Sequence, residues 1–165
     1  MKTLTLIRHA TANNKRVSQQ DNARNLSELG RFQAQDIAKQ LKQKNCLPDY
    51  LLCSPANRTL QTATLLCHTL QLNPELIKIS DILYSGDTND ILNALHEVTT
   101  AQRLFIVGHN PHLSWLAHRV CSGTKTINLP PAGVISLEFD IENWSELTEA
   151  QGRLLFFIEP HHESS

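Results

Sequence analysis

The sequence lacks the features that mark membrane, secreted and nucleic-acid-binding proteins. In 165 residues, no apolar stretch approaches the ~20 residues that a membrane-spanning helix needs, and the N-terminus lacks the long apolar segment of a signal peptide. Fifteen Lys and Arg residues against sixteen Asp and Glu residues give a formal net charge of −1, without a basic tail. We therefore expect the chain to bind neither nucleic acid nor an anionic membrane surface.

The sequence also lacks paired cysteines, internal repeats and Pro/Gly-rich linkers. Its four cysteines form no C-x-x-C motif and have mostly apolar neighbours, which is typical of reduced core residues in a cytoplasmic protein. These are Cys46, Cys53, Cys67 and Cys121. Without a linker, we predict a single domain over residues 1–160. Residues 159–165 are polar, and we predict that residues 161–165 form a C-terminal tail beyond this domain.

Strand-like apolar runs alternate with helical periodicity along the chain. Strands are predicted at residues 2–7, 50–54, 76–79, 103–107, 133–139 and 152–158. Helices are predicted at residues 27–44 with Ser27 as N-cap, at 56–70, at 87–96 with Asp87 or Thr88 as cap, and at 111–121 with Pro111 in the first turn. This order predicts an α/β fold with three α/β/α layers, in which a mainly parallel central sheet has an antiparallel edge.

Polar side chains follow three of the predicted strands at the point where each strand ends. Arg8 and His9 follow the first strand, Arg58 lies in the opening helical turn after the second, and His109 follows Gly108 after the fourth. Because the carboxyl ends of parallel strands meet at one edge of a sheet, these four side chains should converge. Two arginines and two histidines around one point describe a pocket for a phosphoryl group.

Each of these residues has a simpler interpretation when taken alone. Arg8 and His9 could be solvated polar residues at a strand end, Arg58 could cover its own helix, and His109 could be a hydrogen-bonded loop histidine. His109 and His112 have H-x-x-H spacing, but an intervening proline and the lack of paired Cys or acidic ligands argue against zinc. We expect neither a metal nor another cofactor.

Three segments together resemble a known family. Residues 6–12 (LIRHATA), 54–63 (SPANRTLQTA) and 107–111 (VGHNP) are similar, in order, to the signatures of the histidine phosphatase superfamily, whose fold is called phosphoglycerate mutase-like. Residues 21–30 (DNARNLSELG) and 131–134 (PAGV) resemble the SixA-type phosphohistidine phosphatases within it. Asn25 stands where that subgroup usually has Pro, which should loosen the approach to the helix, and Ser27 stands where Thr is usual.

The resemblance implies that His9 is a nucleophile that becomes phosphorylated and is then hydrolysed by water. Arg8, Arg58 and a protonated or hydrogen-bond-donating His109 would bind the phosphoryl group and stabilise its charge. Arg24, in the SixA-like segment, is a further candidate phosphate contact, although it could equally be a surface arginine near a helix start.

A general acid is harder to assign. Many family members carry a Glu after the strand that follows the S-P-x-x-R helix, but residues 80–87 of this chain contain none. Asp81 is the nearest match, unless it only ends the strand. Weak acid assistance favours phosphohistidine as substrate, because its imidazole can leave already protonated. The short segments after His9 and after the third strand leave little chain for a lid, which predicts an open cleft.

We therefore expect a phosphatase whose partner is a phosphorylated protein, specifically a phosphohistidine domain in signalling or phosphotransfer. Two alternatives remain open at this point. The enzyme could hydrolyse small phosphate monoesters and so act on a small phosphorylated metabolite. From a different class, the chain could be a catalytically silent module that binds phosphoproteins, although such a module would normally have lost His9 or one arginine.

Overall fold

A computed structural model of the protein describes residues 1–15 and 19–162, so the last three residues of the predicted tail lie outside the described residues. Its strands are β1 Lys2–Arg8, β2 Tyr50–Cys53, β3 Ile77–Ile79, β4 Arg103–Gly108, β5 Val134–Phe139 and β6 Arg153–Ile158. Its α-helices are α1 Glu28–Gln43, α2 Asn57–Leu70, α3 Ile82–Ser85, α4 Thr88–His96 and α5 His112–Val120. Short 3₁₀ helices lie at Asp21–Ala23, Pro74–Leu76, Ser122–Thr124 and Trp144–Glu146.

The strands form one sheet in the order β3-β2-β4-β1-β5-β6. Strands β1 to β4 pair in parallel, whereas β5 runs antiparallel to β1 and to β6. The predicted α/β architecture with an antiparallel edge is therefore confirmed.

Helices cover both faces of this sheet. Side chains alternate between the faces along a strand, so Leu6 and Ile7 of β1 belong to different cores. Leu6 packs in a core that contains apolar residues of α4 and α5. Ile7 packs in a second core that contains apolar residues of α1 and α2. These two cores give the three predicted layers.

The predicted helices are confirmed, with small shifts at their ends. Ser27 and Asp87 are the N-caps of α1 and α4, each accepting a hydrogen bond from a backbone N–H of the first turn. Pro111 precedes α5 as its N-cap instead of lying in the first turn. The short helix α3 was not predicted, because four residues are too few for a helical period to show. In the part of the chain that the structure describes, no helix is long and apolar enough to cross a membrane.

Candidate active site

The register of the central strands brings the three motifs to one edge of the sheet. Arg8 pairs with Gly108, the His9 N–H donates to the Gly108 carbonyl at 3.0 Å, and the Ser54 N–H donates to the Val107 carbonyl at 3.1 Å. At this edge lies a cleft of about 470 Å³ that is open to solvent. It is lined by Arg8, His9, Asp21, Arg24, Arg58, Tyr84, His109, Asn110, Pro111 and His112.

His9 presents one defined nitrogen for chemistry. Its Nδ1 lies 2.7 Å from the Ala10 carbonyl oxygen, which can only accept, so Nδ1 carries the proton of the neutral ring. The lone pair is then on Nε2. Burial lowers the pKa of His9 to about 4, and the positive charges of Arg58, Arg8 and Arg24 act in the same direction. At neutral pH the ring is therefore uncharged, as a nucleophile must be.

Each of the two predicted arginines donates a hydrogen bond to a backbone carbonyl. Arg8 Nη1 donates to the Leu129 carbonyl at 2.9 Å, while Arg8 Nε is buried and has no partner among the described residues. Arg58 is 7% exposed, and its Nη1 donates to the Asp21 carbonyl at 2.9 Å. A buried N–H without an acceptor is costly, so Arg8 Nε is a donor for which an oxyanion would be a suitable acceptor.

His109 contacts a partner through each ring nitrogen. Its Nε2 lies 2.7 Å from Ser54 Oγ and its Nδ1 lies 3.3 Å from Arg58 Nη2. The centroids of the His9 and His109 rings are 5.4 Å apart. Burial, together with the charge of Arg58, lowers the pKa of His109 to about 3. His109 is therefore neutral in the unliganded site, so of the two predicted forms only the neutral donor is consistent with this pKa.

Asp21 is a component of the site that sequence reasoning missed. Its carboxylate accepts hydrogen bonds from Arg58 Nη2 at 3.0 Å, from Arg24 Nη1 at 3.3 Å and from Tyr84 Oη at 2.8 Å. The Tyr84 hydrogen bond and the contacts with Arg58 and Arg24 lower the pKa of Asp21 to about 2. This carboxylate is therefore ionised at neutral pH and holds no proton for a leaving group.

Arg24 lines the cleft and is also tied to the loop after β1. Its Nε donates to the Asn13 carbonyl at 3.0 Å, and its Nη1 pairs with Asp21. It is thus both a rim residue near a helix start and a cation close to the predicted nucleophile. In the sequence, the feature that could have pointed to Asp21 is its position three residues before Arg24 in the SixA-like segment 21–30.

The structure does not bring Asp81 to the cleft. Asp81 is exposed, begins the turn that leads into α3, and uses its backbone carbonyl to accept from Tyr84 and Ser85. Its carboxylate is not among the groups that line the cleft, so the assignment of Asp81 as a possible acid is not supported by its position. One helical turn further on, Tyr84 reaches the site instead, with its ring centroid 5.5 Å from that of His109.

Within residues 1–15 and 19–162, no group of three or more His, Cys, Asp or Glu side chains is arranged to hold a metal ion.

The sequence comparison agrees with the first two motifs, and the structure comparison agrees with the fold. The profile of the histidine phosphatase superfamily (branch 1) matches residues 4–81. The structure named phosphohistidine phosphatase SixA from Nakamurella multipartitia is 24% identical, with a TM-score of 0.83 and 96% of each chain covered. The Agrobacterium tumefaciens structure of the same name is also 24% identical, with a TM-score of 0.82 over 96% of this chain and 98% of that one.

A third similar structure is that of the protein histidine phosphatase SixA complexed with tungstate. It is 20% identical, with a TM-score of 0.81 over 96% of this chain and 97% of that one. No curated protein matches the sequence. The resemblance to the superfamily, inferred from residues 6–12, 54–63 and 107–111, is thus confirmed, as is the resemblance to the SixA fold, inferred from residues 21–30 and 131–134.

Proposed function

We propose that this chain is a phosphatase of the histidine phosphatase superfamily that is phosphorylated on His9 and acts on phosphohistidine in a protein. The observation that carries the proposal is the state of His9. Its Nδ1 proton faces the Ala10 carbonyl, which leaves the lone pair of the neutral ring on Nε2, and Arg8, Arg58 and His109 line the same cleft.

The reaction follows in two steps. In the first, His9 Nε2 attacks phosphorus in line, so that a P–N bond forms while the bond to the leaving group breaks. In the second, water attacks the phosphorus of phosphohistidine, releasing inorganic phosphate and returning neutral His9. Arg8 and Arg58 stabilise the charge on the equatorial oxygens in both steps, and no step needs a metal.

The choice of phosphohistidine rests on three acid–base groups that do not supply a proton to an ester oxygen. Asp21 is ionised, His109 is neutral, and Asp81 lies outside the cleft. An alkoxide leaving group needs a proton, whereas the imidazole of phosphohistidine can leave in its protonated form. A cleft that is open to solvent also suits a side chain presented by a partner protein.

The similar structures support the same choice. Two of them are named phosphohistidine phosphatases, and a third holds tungstate, which is a tetrahedral oxyanion like phosphate. By this analogy, we infer that the partner is a phosphohistidine domain of a signalling or phosphotransfer protein.

Trapping the phosphoenzyme tests the nucleophile. With a ³²P-labelled phosphohistidine protein, the rapidly quenched enzyme should carry acid-labile, base-stable label. His9→Ala should abolish this label and lower turnover by at least about a thousandfold. His68→Ala is the matched control, because His68 is an exposed histidine of α2 outside the cleft. Label that persists in His9→Ala would exclude His9 as the nucleophile.

A substrate panel tests the leaving group. We expect kcat/KM for a phosphohistidine protein to exceed that for sugar and glycerate phosphates by orders of magnitude. The opposite preference would contradict the proposal and favour the small-monoester alternative. It would also direct attention to His112, which lines the cleft and has a buried Nδ1 without a partner among the described residues.

A further inference from the structure

The hydroxyl of Ser54 has very few possible partners. The residue is fully buried directly after β2, and its Oγ has two polar contacts among the described residues. One is His109 Nε2 at 2.7 Å, and the other is the Ala56 backbone N–H at 3.5 Å, which can only donate. Among the described residues, His109 Nε2 is therefore the one acceptor available to the Ser54 hydroxyl proton.

The other ring nitrogen of His109, Nδ1, also faces a hydrogen-bond donor. Nδ1 lies 3.3 Å from Arg58 Nη2, which can only donate and would need a lone pair on Nδ1. A neutral imidazole has one lone pair and one N–H, so it cannot accept hydrogen bonds from both Ser54 and Arg58. The tautomer of His109 therefore depends on which donor can be satisfied elsewhere.

Arg58 has other hydrogen-bond acceptors within reach, whereas the Ser54 hydroxyl has none besides His109 among the described residues. The Arg58 guanidinium donates to the carbonyl and to the carboxylate of Asp21 at 2.9 and 3.0 Å, both shorter than its contact with His109. A buried hydroxyl without an acceptor costs more free energy than the loss of one long hydrogen bond. This balance favours a lone pair on Nε2 and a proton on Nδ1.

We propose that Ser54 is a positioning residue that donates to His109 Nε2 and thereby fixes His109 as the Nδ1–H tautomer. Nδ1–H and Arg58 Nη2 then form a pair of donors 3.3 Å apart, both available to one oxygen of a phosphoryl group. This inference rests on the proposed function, since it assigns His109 the task of donating to the transferred group. It explains how a neutral histidine can stabilise the transition state without taking up a proton.

Nitrogen-15 NMR of histidine-labelled protein tests the tautomer directly. We expect His109 Nδ1 to give the signal of a protonated ring nitrogen, both in the free protein and with tungstate bound. In Ser54→Ala, the free protein should shift toward the Nε2–H form, and Ser54→Thr should restore the wild-type signal. Ser136→Ala is the matched control, because Ser136 is a fully buried strand serine whose hydroxyl contacts Thr5 outside the cleft.

Kinetics then separates positioning from general damage. Ser54→Ala should slow phosphorylation of His9 about tenfold, the effect of one lost neutral hydrogen bond, with little change in KM. In a His109→Ala background, adding Ser54→Ala should not slow the phosphorylation of His9 any further. A tenfold loss that persists without His109, or a His109 tautomer that does not respond to Ser54→Ala, would overturn the proposal. Because the tautomer is measured without turnover, failure of His9 to become labelled would refute the proposed function alone.

Discussion

Asp21 places a negative charge inside a cleft that we propose binds an anion. Its position has a structural reason: the carboxylate receives hydrogen bonds from Arg58, Arg24 and Tyr84, and the Asp21 carbonyl receives a second hydrogen bond from Arg58. The side chain thus fixes the orientation of two cations. Its charge also offsets part of theirs, so it should weaken phosphate binding while ordering the groups that act in the transition state.

Asp21→Asn should separate these two effects. Removal of one unit charge near the phosphate position should tighten inhibition by inorganic phosphate about fivefold, which corresponds to about 1 kcal/mol. The less ordered arginines should lower kcat about tenfold. Steady-state kinetics with phosphate as a competitive inhibitor measures both changes.

Tyr84→Phe is the comparison for Asp21→Asn. It removes one hydrogen bond to the carboxylate but keeps the charge, so kcat should fall by a smaller factor and inhibition by phosphate should not tighten. If phosphate inhibited Asp21→Asn less strongly than the wild type, a direct role of Asp21 in holding the anion would replace the one described here.

Residues at strand ends could be predicted because the fold itself places them. Arg8 ends β1, while His9 and His109 directly follow β1 and β4, and parallel pairing of these strands is enough to bring the three residues to one edge. Asp21 and Tyr84 could not be placed in this way. They reach the cleft from a 3₁₀ helix and from the short helix α3, and neither segment has a periodicity that fixes its position relative to the sheet.

At the scale of elements, the start of α1 holds the loop that follows the proposed nucleophile. The Ser27 N–H and Oγ both donate to the Thr11 carbonyl, at 3.0 and 3.1 Å, and the Thr11 N–H donates to Gln33 Oε1 at 2.9 Å. Gly30 allows this approach, since a Cβ at that position would lie 2.0 Å from the Thr11 carbonyl oxygen. The helix and the loop therefore pack backbone to backbone.

Asn25, which stands where SixA-type sequences usually have Pro, is held by side-chain hydrogen bonds. We expected the change to loosen the approach to α1. The structure shows that Asn25 Oδ1 accepts hydrogen bonds from Asn57 Nδ2 at 3.2 Å and from Gln61 Nε2 at 3.0 Å, both of α2. Side-chain hydrogen bonds across two elements depend on tertiary contacts that sequence spacing does not reveal.

Gly30→Ala should disturb both stability and activity. Because the new methyl group would meet a backbone oxygen, α1 or the loop must shift, at a cost of about 2 kcal/mol in the free energy of unfolding. The shift would also move the segment that follows His9, so kcat should fall. Urea unfolding and steady-state kinetics measure the two effects.

Gly123→Ala provides the control for Gly30→Ala. A Cβ at Gly123 would have its nearest neighbour at 3.8 Å, an ordinary contact, and we expect a change in stability below about 0.5 kcal/mol. Equal effects of the two substitutions would show that the close approach of α1 to Thr11 is not tightly constrained.

At the scale of the whole molecule, the cleft makes folding stability depend on pH. Burial and neighbouring arginines lower the pKa of His9 to about 4 and that of His109 to about 3, whereas a histidine in an unfolded chain titrates near ~6.5. Between these values the unfolded chain binds protons that the folded protein does not. The free energy of unfolding must therefore decrease as the pH falls from about 6.5 toward about 4.

Asp21 contributes to the pH dependence of folding stability in a separate, lower pH range. The pKa of Asp21 is lowered to about 2 in the folded protein, below the value of about 3.9 for a free side chain. The stability that Asp21 provides is fully present above about pH 4 and is lost only as the pH falls further toward 2. The loss of stability between pH 6.5 and pH 4 can therefore be attributed to the half-buried His9 and His109 without interference from Asp21.

His109→Gln should reduce this pH dependence. Each of the two site histidines contributes up to about 1.4 kcal/mol per pH unit to the slope, so removal of one of them should make the decrease between pH 6.5 and pH 4 clearly smaller. Urea unfolding at pH 7, 6, 5 and 4.5 measures the slope, with His68→Gln as a control at an exposed position. Because unfolding needs no substrate, the measurement tests the burial of His109 independently of catalysis. Parallel curves for the wild type and His109→Gln would mean that His109 titrates as a solvated residue, which is incompatible with a neutral His109 held between Ser54 and Arg58.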